Sequence, residues 1–188
     1  MHFVIAFVLA HAITATIHFL YLHEEGEAGK NVGIKKAGFF FVLLTGLSYW
    51  DDSSFKLIKM TELIFLLIIT VTDIEKQKIY DLVTIPFAIT GLICADIGIA
   101  EKLIGGICAG MVFCLLQKLT RNGIGGGDVK LVTALGLWHG YGIFDIVING
   151  SILGGICAAV LLASGKKGRK DYIAYGPYFC IAGVYEML

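Results

Sequence analysis

The sequence predicts an all-α, polytopic transmembrane helical bundle with about 6–8 membrane segments, and three observations carry that reading. Hydrophobic residues make up 57% of the 188 and charged ones only 16%, whereas a soluble domain runs at about 45–50% and about 25%. Mean hydropathy is +0.80. The apolar residues are gathered into long runs between short polar breaks, and in lipid a helix is the element that satisfies its own backbone hydrogen bonds. A disordered chain needs low hydrophobicity and high net charge, so disorder is excluded. Formal net charge is 0, from 15 basic and 15 acidic residues, which leaves no basic surplus to attract nucleic acid.

The elements follow in order. Met1-His2-Phe3-Val4 lacks the basic start of a cleavable signal peptide, so residues 2–22 read as a retained spanning helix. His11 and His18 share a face of it, a pair able to bind a metal but read in preference as polar contacts inside the bundle. After a polar stretch at 23–36, the run at 37–50 is short for a span, and Lys35 and Lys36 can lengthen it by snorkelling. Phe39-Phe40-Phe41 reads as lipid-facing bulk. Asp52 or Ser53 is placed to cap the next helix. Further apolar runs cover 57–72, 82–100, 103–119, 131–138, 143–164 and 172–188; the 131–138 run is too short to span alone. Gly105, Gly106 and Gly110 allow a neighbouring helix to approach closely. Asp145 and Asn149 share one helix face and are expected to hydrogen-bond within the bundle. Trp50 and Trp138 suit an interfacial belt. Residues 1–188 read as one membrane domain, with no internal repeat. Cys94, Cys108, Cys114, Cys157 and Cys180 lie in apolar runs with no CxxC pair, so they read as small fillers. Neither a zinc site nor a disulfide framework is expected, and no cofactor.

Basic residues orient the chain. The loops at 23–36, 73–81, 118–130 and 164–171 hold 12 lysines and arginines, against three (Lys56, Lys59, Lys102) in the loops assigned to the other side. The positive-inside rule then puts the loop after Asp73 and the Gly-rich loop before Asp128 at the cytoplasmic face. The count holds if 131–138 re-enters, or pairs with 143–164 through a loop on the far side, where His139 would sit. Lys166-Lys167-Gly168-Arg169-Lys170 reads as a topogenic loop near lipid headgroups.

Acidic residues at membrane depth are costly and ask for a reason. Asp73 ends one apolar helix, and Asp128 follows Gly125-Gly126-Gly127 directly before another. Two carboxylates that meet at a partly dry helix end cannot both ionise, so the pair holds one proton. Such a pair can activate a water and protonate a carbonyl, the chemistry of an aspartic protease. The three glycines remove bulk beside the acid, leaving room for an extended peptide to pair with the backbone. Asp128 also falls where a helix N-cap would.

Gly125-Gly126-Gly127-Asp128-Val129-Lys130 resembles the GxGD motif of intramembrane aspartyl proteases, and more closely the GxGDVK form of the type IV prepilin peptidases. The upstream segment from Asp73 to Asp81, followed by Pro86 and Gly91, is similar to that family's first-aspartate region. Tyr175-Gly176-Pro177-Tyr178 is similar to its Phe-Gly-Pro-Phe signature. The three motifs occupy about 57–188 in the family's order. The resemblance implies a catalytic pair, Asp73 and Asp128, supported by Asp81, Gly125, Gly127, Lys130, Gly176 and Pro177. Lys130, two residues after Asp128, points away from it on a regular helix. The implied activity is cleavage of a prepilin or pseudopilin leader at the cytoplasmic membrane face, without metal, in a short, peptidase-only form. Membrane lipids and a pilus or secretion machine are the other implied partners. Tyr80 stands where the family has proline, as does Ala174. A Tyr-Asp pair with a GxGD also resembles presenilin-like proteases, which keeps Asp81 as an alternative first acid, although no Pro-Ala-Leu signature follows. Rival readings are a proton-coupled transporter using Asp96 or Asp145, and an inactive scaffold of a pilus or secretion machine.

Overall fold

The structure, a computed structural model, describes residues 56–121, 123–165, 168 and 173–187. The expectations for 2–22, 37–50, Asp52, Ser53, Trp50 and most of the basic loop at 166–170 lie outside the described residues. The chain forms two compact units, Met1–Ile68 and Ile69–Leu188. The candidate site belongs to the second.

Among the described residues all regular structure is helical. Helix α1 (Lys56–Lys76) continues through the charged residues after Asp73, which the sequence reading took for a loop. It ends at Gln77, whose positive φ of 52° closes the last turn through its N–H to the Asp73 carbonyl at 2.9 Å. Helix α2 (Asp81–Cys94) begins after Tyr80, an extended N-cap at φ −85°, ψ 132°. That φ is close to the roughly −65° a proline ring imposes, so Tyr80 fills the family's proline position without reshaping it. Its ring is buried, with the Lys78 Nζ 5.1 Å from the ring centre. The expected run at 82–100 is broken at 95–98, where Asp96 and Gly98 form the turn into α3 (Ile99–Leu119). Lys102, only 4% exposed, donates to the Leu92 carbonyl at 2.9 Å and satisfies an orphan acceptor at the end of α2.

Helix α4 (Gly126–His139) runs antiparallel to α3, and glycines set the distance between them. A Cβ on Gly136 would lie 2.7 Å from the Gly105 backbone and from the Gly106 Cα; one on Gly110 would lie 2.5 Å from the Thr133 hydroxyl. The close approach read from Gly105, Gly106 and Gly110 is therefore present. Gly136→Ala forces the helices apart and is expected to cost about 1–3 kcal/mol, read as a lower thermal midpoint in detergent. Trp138 is buried at 4% exposure, stacks on Phe87 at 5.5 Å and donates to the Phe87 carbonyl at 2.8 Å. It is a core residue joining α2 to α4, not part of an interfacial belt, because Gly91 leaves the space its indole fills.

The chain reverses at a 3-10 turn, Gly140–Gly142, where Gly140 takes φ +55°. Helix α5 (Ile143–Ala163) returns, and α6 (Gly176–Met187) runs antiparallel to it, with Phe179 against Gly150 and Tyr175 against Gly154. The buried stripe of α5 is Ile143, Ile146, Gly150 and Gly154. Asp145 and Asn149 lie off that stripe and are exposed, which corrects the expectation that they bond inside the bundle. By length and composition, two apolar stretches among the described residues are long enough to cross a membrane: Ile99–Leu119, and Gly126–Ala163, which includes the turn at Gly140–Gly142.

Candidate active site

Asp73 lies in the last turn of α1 and is 5% exposed. Its carboxylate is held from a distant point in the chain: the Gly176 N–H donates to Asp73 Oδ2 at 2.9 Å. Gly176 opens α6, so this N–H is one of the donors that a helix start leaves without an internal partner. A side chain there has no room, since a Cβ would meet Oδ2 at 2.6 Å. Pro177 follows, buried, in the first turn, where its missing N–H costs no hydrogen bond.

Asp128 is not the N-cap of α4. Gly125 is, at φ −65°, ψ 142°, and Asp128 is the third residue of the helix. From there its carboxylate turns back toward Gly125, with Oδ2 3.1 Å from where a Gly125 Cβ would stand. Gly126 and Gly127 are already helical, so the extended edge expected for strand pairing is absent at those two residues. Gln117 Nε2 donates to the Ile124 carbonyl at 3.1 Å and ties the Gly-rich loop to the end of α3. Each acid thus lies against a glycine at the start of a helix, and Gly176 donates its N–H to Asp73.

The two acids line one cavity of about 900 Å³ and interact electrostatically. A pocket of that volume accepts a peptide side chain or a short extended segment. Phe113, Phe179 and Tyr175 give the cavity an apolar, aromatic wall, while Lys76, Gln77 and Ser151 add polar groups. Phe113, Phe179 and Ser151 carried no sequence signal, since each sits in an ordinary apolar run. The site can hold a polar bond between two carboxyl groups beside an apolar surface.

Asp81 does not line the cavity. It accepts two short contacts from Lys130 Nζ, 2.6 Å and 2.7 Å, between side chains that are each 54% exposed. The pair joins the start of α2 to α4 and keeps Lys130 off Asp128, as the spacing of two residues implied. Asp81 as first acid is disfavoured by this geometry. An ion pair so exposed is worth about 0–1 kcal/mol; Lys130→Ala is therefore expected to shift the thermal midpoint only slightly, and less at high salt. Asp96 and Asp145 are exposed and outside the cavity, so the transporter reading finds no relay among them. His139 ends α4, at the opposite end of that helix from Asp128.

The model of the type IV leader peptidase family matches residues 60–159, more than half of the chain. The chain belongs to that family. The matched stretch holds Asp73, Asp81, Asp128 and Lys130, while Gly176 lies beyond it. The chain is 30% identical over 129 residues to a prepilin leader peptidase/N-methyltransferase of Xanthomonas campestris, covering 63% of this chain and 45% of that protein. It is 34% identical over 128 residues to the protein of the same name from Neisseria gonorrhoeae, covering 63% and 44%. A third, from Stutzerimonas stutzeri, is 29% identical over 133 residues, covering 65% and 46%. The chain spans a little under half the length of these curated relatives. No solved structure matches it.

Proposed function

We propose that the chain is a membrane-embedded aspartic endopeptidase that removes the leader from type IV prepilin-like precursors, with Asp73 and Asp128 as its catalytic pair. The observation that carries this reading is the presence of two carboxylates on one cavity, each against a glycine at a helix start, with Asp73 held by the Gly176 N–H. That tether fixes the orientation of Asp73. The pair holds one proton between them. The ionised acid takes a proton from water as it attacks the scissile carbonyl, and the protonated acid gives its own to the carbonyl oxygen. A gem-diol forms, and its collapse with protonation of the leaving amine breaks the C–N bond. No covalent intermediate and no metal is needed.

The substrate class comes from family membership and from the named relatives. The apolar stretches at 99–119 and 126–163 support a multi-pass protein of the cytoplasmic membrane, and we read residues 1–188 as one such domain with about 6–8 segments. The bias of 12 basic residues to 3 supports a site near the cytoplasmic face. The precursor's own apolar helix stays in the bilayer and presents the leader junction. The test is incubation of the purified full chain in detergent with candidate prepilins, with product masses read by mass spectrometry. The expected result is one cut at the leader junction. Absence of cleavage with every candidate, or unchanged cleavage by the Asp73→Asn/Asp128→Asn double variant, overturns the proposal.

A further inference from the structure

One aliphatic side chain connects the two acid-bearing turns. Ile79 lies in the short linker between α1 and α2 and is half-buried. A Cβ on Gly127 would lie 2.9 Å from Ile79 Cβ, 3.4 Å from Cγ1 and 3.5 Å from Cδ1. A Cβ on Gly176 would lie 3.3 Å from Ile79 Cδ1. Ile79 therefore fills the space between two glycines with defined tasks: Gly127 directly precedes Asp128, and Gly176 donates its N–H to Asp73. Ile79 does not line the cavity, so it touches the arrangement from behind.

We propose that Ile79 is a positioning residue, a wedge between the start of α4 and the start of α6 that sets the spacing of Asp73 and Asp128. Three features suit it to this. A β-branched side chain has few χ1 choices and makes a stiff spacer. The two glycines present bare backbone to it, so its position is relayed to main chain and not absorbed by flexible side chains. The linker that carries it is anchored on both sides, by Gln77 closing α1 and by Asp81 paired to Lys130. Cβ, Cγ1 and Cδ1 all border Gly127, and the terminal Cδ1 also reaches Gly176. Shortening the side chain to valine should loosen the Gly176 side first; alanine should loosen both.

The test has a geometric arm and a kinetic arm. The geometric arm needs no activity. In the full chain with its five cysteines replaced, Asp73→Cys and Asp128→Cys are bridged with bifunctional thiol reagents of graded length. With Ile79 present, one narrow range of lengths is expected to bridge; with Ile79→Ala the range broadens, and with Ile79→Val it broadens less. The kinetic arm rests on the proposed peptidase reading. There Ile79→Ala is expected to lower kcat about 10–100-fold with KM nearly unchanged, and Ile79→Val to fall between. Ile146→Ala, a fully buried cavity variant on α5, is the control: it should lose stability while keeping the length profile and kcat. An identical length profile in all three Ile79 backgrounds overturns the wedge. So does a kcat unaffected by both substitutions in a wild type that cleaves. A wild type that fails to cleave counts against the peptidase reading alone, and the bridging profile still decides the role of Ile79.

Discussion

Asp128→Asn is expected to slow leader cleavage by about 10²–10⁴-fold while leaving the thermal midpoint of unfolding close to that of the parent chain. The substitution keeps the shape of the side chain, which lies against the N-cap glycine, so α4 keeps its first turn. What disappears is the ability to take or hold a proton. Asn cannot act as base toward the water, nor share a proton with Asp73. Asp73→Asn is expected to behave in the same way, because the amide oxygen still accepts from Gly176. In the proposed mechanism the two acids act as one unit, so the double variant should be scarcely slower than either single one. Single-turnover cleavage of one prepilin, quantified by product mass, measures this. A multiplicative loss would mean that the acids work independently, and a loss confined to KM would make them binding groups. Asp128→Ala is a poorer probe, since it also removes the side chain that lies against the N-cap glycine.

Much of the fold was legible because it depends on apolar runs. The runs at 57–72, 103–119 and 143–164 correspond to α1, α3 and α5 within a few residues. The chain reversal between 131–138 and the next run was also legible, since Gly140-Tyr141-Gly142 supplies both breaks and a positive φ. The errors came from local rules met by a competing one. Three of the four residues 73–76 are charged, yet the segment remains helical because charge does not end a helix; a residue in the left-handed region does, and Gln77 carries no mark of that. Asp128 resembled an N-cap, but glycine satisfies the extended φ and ψ of that position and the acid reaches back from the third residue instead. The family motifs marked Asp73, Asp128, Gly176 and Pro177 in advance. They did not say what the residues do to one another. The bond from Gly176 to Asp73 spans 103 positions and the pair of Asp81 with Lys130 spans 49, and periodicity carries no information at such separations. Ile79 was passed over as one apolar residue in a charged segment.

Gly176→Ala is expected to lower kcat about 10²-fold although it adds a single methyl group. The added Cβ would stand 2.6 Å from Asp73 Oδ2, 3.2 Å from its Cγ and 3.3 Å from Ile79 Cδ1. Asp73 is 5% exposed, so its carboxylate has little room to retreat. Either it rotates and gives up the Gly176 N–H, or the start of α6 moves out and takes Tyr175 and Phe179, both in the cavity wall, with it. Both routes misplace an acid that, in the proposed mechanism, meets a water and a carbonyl together. Overpacking of this kind is expected to cost about 1–3 kcal/mol of stability, seen as a lower thermal midpoint. Gly155→Ala, at a position where a Cβ meets nothing within 4 Å, is the matched control and should leave both rate and midpoint unchanged. The decisive comparison is non-additivity. If the methyl acts through Asp73, Gly176→Ala adds almost nothing to the loss already caused by Asp73→Asn. If the two losses multiply, the glycine serves the site by another route, and the N–H that orients Asp73 is not what the reaction needs from it.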